Sequence, residues 1–193
     1  MSEIPRGNSR THDGDVHLLR FVVDLPHPPA VVWAAVASPE GLPGWLCEAD
    51  PLEPRLGGRV TLRRLAASDR AVPLPGDTEV SGRVTAWDPD YVAEYTVAPA
   101  QGRIRFHLEP GAGAGAGAAA SGGGATVLRF TNELRGSQET RLDALAGWHE
   151  HFERLAAALD GHPTDWRDWS SARWQHLRDL YERDEATWPK WEP

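Results

Sequence analysis

The sequence predicts an α+β domain in which an antiparallel sheet packs against one long helix near the C-terminus. Three observations lead there. Within Gln138 to Leu159, residues Leu142, Leu145, Phe152, Leu155, Ala156 and Leu159 recur at spacings of three and four, which at about 100° per residue gathers them on one side of a helix. From Gly57 onward, apolar residues return at every second position in stretches separated by Gly, Pro and Asp clusters, the pattern of strands with one buried face. Near the N-terminus a single alternating stretch is followed by two short helical ones. A chain of 193 residues with 40% hydrophobic content suits one such domain.

Taken in order, residues 1–16 hold Gly, Asn, Ser, Pro and charges without periodicity and read as a disordered leader, so the domain spans 17–184. Leu19, Phe21, Val23 and Leu25 alternate with more polar neighbours as a strand that Pro26 ends. Pro28-Pro29 sets the first turn of a helix over Ala30 to Ala37, with Val32, Trp33 and Val36 on its buried side. A second short helix runs from Pro39 towards Leu46, broken by Gly41, Pro43 and Gly44. Arg59 to Leu65, Thr78 to Trp87, Tyr91 to Ala98, Arg103 to Glu109 and Thr126 to Leu134 read as strands, and the tight Asp88-Pro89-Asp90 turn makes one pair an antiparallel hairpin. A meander is the economical topology. Residues 111–124, almost wholly Gly and Ala, form a flexible loop that cannot contribute a core.

Asp143, Glu150 and Arg154 take the polar side of the long helix, and Gly161 followed by Pro163 stops it. A last helix carries Trp174, Leu177 and Tyr181, with Ser170 or Ser171 as N-cap. Residues 185–193 form an irregular tail. Five of the nine tryptophans follow position 160, so this end must either cover the domain or bind a partner. Trp174 fits the first role. The Trp166/Trp169 and Trp188/Trp191 pairs fit the second, Trp188 and Trp191 better, including a homodimer.

The net charge of −8, without any Lys/Arg run and with Lys190 the only lysine, disfavours nucleic acid and anionic membrane surfaces as partners. The single Cys47 excludes an internal disulfide and a cysteine-based zinc cluster, which suits a cytoplasmic protein. No apolar run reaches membrane-spanning length.

The stretches Phe21 to Trp33, Pro39-Glu-Gly-Leu-Pro-Gly-Trp-Leu46, Gly57-Gly-Arg59, Leu128 to Leu134 and Ala146-Gly-Trp-His149, in this order, resemble the bacterial branch of the SRPBCC (START-like) superfamily. They are closest to proteins similar to the activator of the heat-shock protein 90 ATPase. The resemblance covers roughly Leu18 to Tyr181. It implies the helix-grip fold: a curved antiparallel sheet wrapped around a long C-terminal helix, two short helices after the first strand, and a largely apolar cavity between helix and sheet. The superfamily includes lipid and hormone carriers, polyketide cyclases and co-chaperone domains, so function has to come from the site. The separate N-terminal domain with which the eukaryotic activator engages its chaperone has no counterpart here.

On that fold, Trp33, Trp45, Leu46, Phe106, Leu128, Phe130, Asn132, Trp148, His149 and Phe152 are the expected ligand-binding residues; without a ligand-sized void they simply pack together. His149 and Asn132 form the expected catalytic pair of an enzyme, the imidazole as acid/base and the amide polarising a carbonyl. Alternation turns Glu133 to the other face of its strand. His149 and His151 diverge by about 200° on a helix, so they cannot share a metal ion, and no metal or other cofactor is expected. No Gly-x-Ser-x-Gly elbow occurs, and Cys47 reads as a buried thiol. The leading reading is binding of a hydrophobic small molecule or lipid without catalysis. The alternatives are a cyclase or dehydratase on an aromatic or polyketide-type substrate, and a chaperone-related or stress-regulatory interaction protein.

Overall fold

The structure, a computed structural model, describes residues 3–65, 79–97, 102–111 and 124–185. Strands β1 (Asn8–His12), β2 (Val16–Leu25), β3 (Glu48–Leu52), β4 (Arg59–Arg63), β5 (Glu79–Asp88), β6 (Val92–Val97), β7 (Gly102–Pro110) and β8 (Thr126–Arg135) form one curved antiparallel sheet. Their order is β1-β2-β8-β7-β6-β5-β4-β3. The run from β3 to β8 is therefore a meander, and β2 joins it by pairing with the last strand, Phe21 opposite Phe130. Register shifts in β3 and β5 mark bulges, which bend a strand and sharpen its twist.

Helix α1 (Pro29–Ala37) begins with proline at its first position and buries Val32, Val36 and Ala37. Helix α2 (Gln138–Leu159) is opened by Ser137, whose hydroxyl accepts the Thr140 N–H at 3.2 Å, and Gly161, at φ 87°, takes the left-handed turn beyond its end. Its apolar stripe, Leu142, Leu145, Phe152 and Leu155, is buried. Helix α3 (Ala172–Glu185) packs on α2 and inserts Leu177 and Tyr181 into the core.

Four expectations need correction. The leader is ordered over much of its length: β1 pairs along β2, and Ile4 is buried in the core. Strand β1 has polar side chains on both faces and is held by backbone hydrogen bonds, so no apolar alternation announces it. The second short helix shrinks to a 3-10 turn at Leu42–Gly44, where Gly41, Pro43 and Gly44 deny it helical continuity. Strand β3 went unforeseen because Pro51 interrupts it, which is tolerated at a sheet edge.

The fourth correction concerns Glu150, expected in solvent and found buried. Arg154 bonds its carboxylate at 2.6 Å and Trp169 lies beside it, because α3 and the segment before it cover the back of α2. Trp166 donates to the Pro43 carbonyl at 2.7 Å and Trp174 to the Asp143 carbonyl at 3.2 Å. Three of the late tryptophans thus cover the domain itself. Trp188 and Trp191, and all but Gly111 and Gly124 of the Gly/Ala loop, lie outside the described residues.

Candidate functional site

Residues opposite one another in antiparallel strands share a sheet face, and two such rows build the wall that α2 faces. The first runs Phe130, Phe106, Ala93 and Trp87; the second runs Asn132, Ile104, Tyr95 and Val84. Phe106, Phe130, Asn132, Ile104, Tyr95 and Val84 are buried. From α2, Trp148 and Phe152 descend on the first row, with Phe130 and Trp148 rings 4.3 Å apart and Phe130 and Phe152 5.1 Å apart. Trp45, fully buried, sits edge-on to Phe106 at 6.1 Å and anchors its indole N–H on the Ala35 carbonyl. Leu128 is buried in the same core, and Leu46 packs against it. Trp33 lies apart from this cluster on α1 and packs on Trp87 at 5.2 Å.

The polar groups divide into two sets. Asn132 accepts the Trp148 indole N–H at 2.9 Å and donates to the Arg103 carbonyl at 3.1 Å, so its amide holds helix and sheet together. His149 turns to the other flank of α2. Its Nδ1 meets the Tyr181 hydroxyl at 2.9 Å, its Nε2 lies 3.5 Å from Glu153, and its ring stands edge-on to Phe21. Tyr181 in turn accepts the Gly7 N–H at 2.9 Å. Both ring nitrogens therefore serve a link between the N-terminal segment, α2 and α3. The acid/base and carbonyl-polarising roles need His149 and Asn132 to converge on one point, and each is directed to different structural partners.

Three side chains that sequence reasoning did not assign to the site stand on the interior side. His151 donates from Nδ1 to the Trp45 carbonyl at 3.2 Å and lies against the Trp45 and Trp148 rings; burial chiefly pushes its pKa down to about 4, so it is neutral. Cys47 is a buried thiol pushed up to about 12, by burial first and then by the neighbouring Glu48. Tyr95 is 2% exposed, and its hydroxyl has no hydrogen-bond partner among the described residues. Burial raises its pKa, and the Cys47 thiol is near enough to add to the effect. The alternation of Ala93, Tyr95 and Val97 predicts the inward face of β6, but the lack of a partner for Tyr95 depends on the fold.

Ion pairs lie on the opposite face of the sheet: Arg103 with Glu133 at 2.9 Å, Arg105 with Glu94 at 3.1 Å, and Arg129 with Glu109 at 2.8 Å. Among the described residues no His, Cys, Asp and Glu cluster suits a metal ion, and no helix is long and apolar enough to cross a membrane. An open groove of about 440 Å³ lies outside the interior, between Leu65 and the stretch Pro163 to Arg167.

A curved antiparallel sheet that grips a long C-terminal helix, with α1 and the 3-10 turn between β2 and β3, defines the helix-grip class of the SRPBCC superfamily. Within it, the chain belongs to the family described as Activator of Hsp90 ATPase homolog 1-like protein, whose match covers residues 26–160. It is similar in fold to a conserved protein of unknown function from Enterococcus faecalis, with 16% identity, a TM-score of 0.65, and 95% of this chain and 92% of that one covered. CalU16 from Micromonospora echinospora aligns with 16% identity and a TM-score of 0.63, over 94% of this chain and 98% of that one. DynU16, described as a protein in the dynemicin biosynthetic locus, aligns with 21% identity and a TM-score of 0.57; 80% of this chain spans 51% of it. No curated protein matches.

Proposed function

We propose that this chain binds a hydrophobic small molecule between α2 and the concave face of the sheet and does not transform it. The observation that carries the reading is Tyr95: a buried hydroxyl without a partner among the described residues, between the apolar side chains of Ile104 and Val84. An unsatisfied buried hydroxyl costs stability, and a ligand that supplies the missing partner recovers it. The aromatic rings of Trp45, Phe106, Phe130, Trp148 and Phe152 provide the apolar contact surface that small-molecule sites use. DynU16, of similar fold, is described as a protein in a biosynthetic locus, that of dynemicin, which is compatible with a small-molecule ligand here. Catalysis finds no support in His149 and Asn132, whose hydrogen bonds hold elements together.

Native mass spectrometry of the full chain against a library of lipids and aromatic metabolites tests the proposal. A retained species, with a raised melting temperature in its presence, is expected. If no compound is retained and none shifts the melt, the reading fails.

A further inference from the structure

We infer that the ligand is an uncharged molecule that presents a hydrogen-bond acceptor, most simply a carbonyl oxygen, to the Tyr95 hydroxyl. This inference rests on the binding reading above and narrows it to a chemical class. The argument begins with what surrounds the hydroxyl. Tyr95 shares its cross-strand row with Ile104 and Val84, both apolar and buried. Asn132, at the end of the same row and about 10 Å away at the usual strand spacing, is already bonded to Trp148 and to the Arg103 carbonyl. The nearby Cys47 thiol is a weak donor and acceptor, and a buried water needs two to four good polar partners. A ligand atom fits this position better than a trapped water.

Charge decides the class. Among the described residues, each buried ionisable group apart from the three interior ones is committed elsewhere. Glu94 pairs with Arg105 on the face opposite Tyr95, Glu150 bonds Arg154, and Arg141 reaches Ser9. His17 bonds Thr11 and the Gly136 carbonyl, and His149 faces Tyr181 and Glu153. His151 has given its proton-bearing nitrogen to the Trp45 carbonyl. A carboxylate entering this wall would lose its hydration without gaining a cation. A plain hydrocarbon would leave the Tyr95 O–H unsatisfied. A ketone, ester, lactone or quinone satisfies it and brings no charge. Arg64, just beyond the end of β4, is the described cation that could reverse this preference; it already has interactions of its own.

Calorimetric titration of the full chain with acetonaphthone, naphthoate and ethylnaphthalene, three probes of similar size, separates the possibilities. The ketone is expected to bind about tenfold more tightly than the hydrocarbon, the effect of one hydrogen bond that replaces an unsatisfied group, and naphthoate most weakly. Tyr95→Phe should erase the advantage of the ketone, leave ethylnaphthalene binding in place, and keep or raise the melting temperature of the free protein. The infrared carbonyl stretch of bound acetonaphthone gives a readout that needs no variant, since a hydrogen bond from Tyr95 lowers its frequency. An unshifted stretch, or tightest binding of naphthoate, overturns the inference while binding itself stands. If none of the three probes binds, the species retained from the library decides, and a carboxylate or a pure hydrocarbon there also overturns it. If that library yields nothing, the binding reading falls as well.

Discussion

Single side chains set how this protein responds to pH. His151, half-buried against the Trp45 and Trp148 rings, is a neutral ring with its pKa down at about 4, against 6.5 in an unfolded chain. A lowered histidine gives stability that is present above 6.5, because only the unfolded state takes up the proton below that value, and that stability is lost as pH falls from 6.5 towards 4. His151→Phe should make the melting temperature fall less steeply across this interval, and thermal melts in a pH series measure it. Glu153 works in a more acidic window. Burial would raise its carboxyl, but hydrogen bonds from Arg173 and His149 outweigh burial and hold it down to about 2, from an ordinary 4.5. Its stabilisation is therefore present above 4.5 and lost between 4.5 and about 2. Glu153→Gln should be less stable than the parent protein at neutral pH, and the difference between them should close as pH approaches 2. Equal melting temperatures at neutral pH would show that the Arg173 and His149 contacts add nothing.

The elements divide into those the sequence announces and those it conceals. Helix α2 was legible because its apolar spacing and its Gly161 stop agree, and β2 and β4 to β8 were legible from alternation. Strand β1 was concealed by its polar side chains, although Asp13-Gly14 ahead of Val16 was a usable hairpin signal; both residues take the positive φ that such turns require. The candidate site shows the same division. The inward positions of Phe106, Phe130, Trp148 and Phe152 follow from periodicity, whereas the engagement of His149 by Tyr181 depends on where α3 docks, which no local pattern encodes. The aromatic cluster between α2 and the sheet also allows a prediction at this scale. Phe130 is fully buried and touches the rings of Phe21, Phe106, Trp148 and Phe152. Phe130→Ala should cost about 3–5 kcal/mol in denaturant unfolding, and Ser137→Ala only about 1 kcal/mol. A loss below 1 kcal/mol for Phe130→Ala would mean that the helix does not lean on this wall.

For the whole molecule, the decisive feature is that α2 is enclosed on two sides, by the sheet in front and by α3 behind, and that the N-terminal segment fastens the rear layer. Ile4 enters the core, Arg6 pairs with Asp184 on α3, and the Gly7 N–H reaches Tyr181. Gly7 is needed there because a side chain would collide with the Phe21 ring, its Cβ falling 2.3 Å from the nearest ring carbon. Strand β1 then ties the segment to the sheet edge, and Ser9 accepts a hydrogen bond from Arg141 of α2. The interior wall around Tyr95 lies on β6, away from β1 at the far edge. Binding and fastening should therefore separate. Removing residues 1–12 should lower the melting temperature and speed hydrogen exchange in α3 more than in α2, since α2 keeps its contacts with the sheet while α3 loses the strap that spans it. Affinity for an interior ligand should stay within about threefold, because a strap contributes to the bound and free states alike. Uniform exchange across both helices would show that α3 docks without the strap, and a large loss of affinity would show that the site extends to the N-terminal segment.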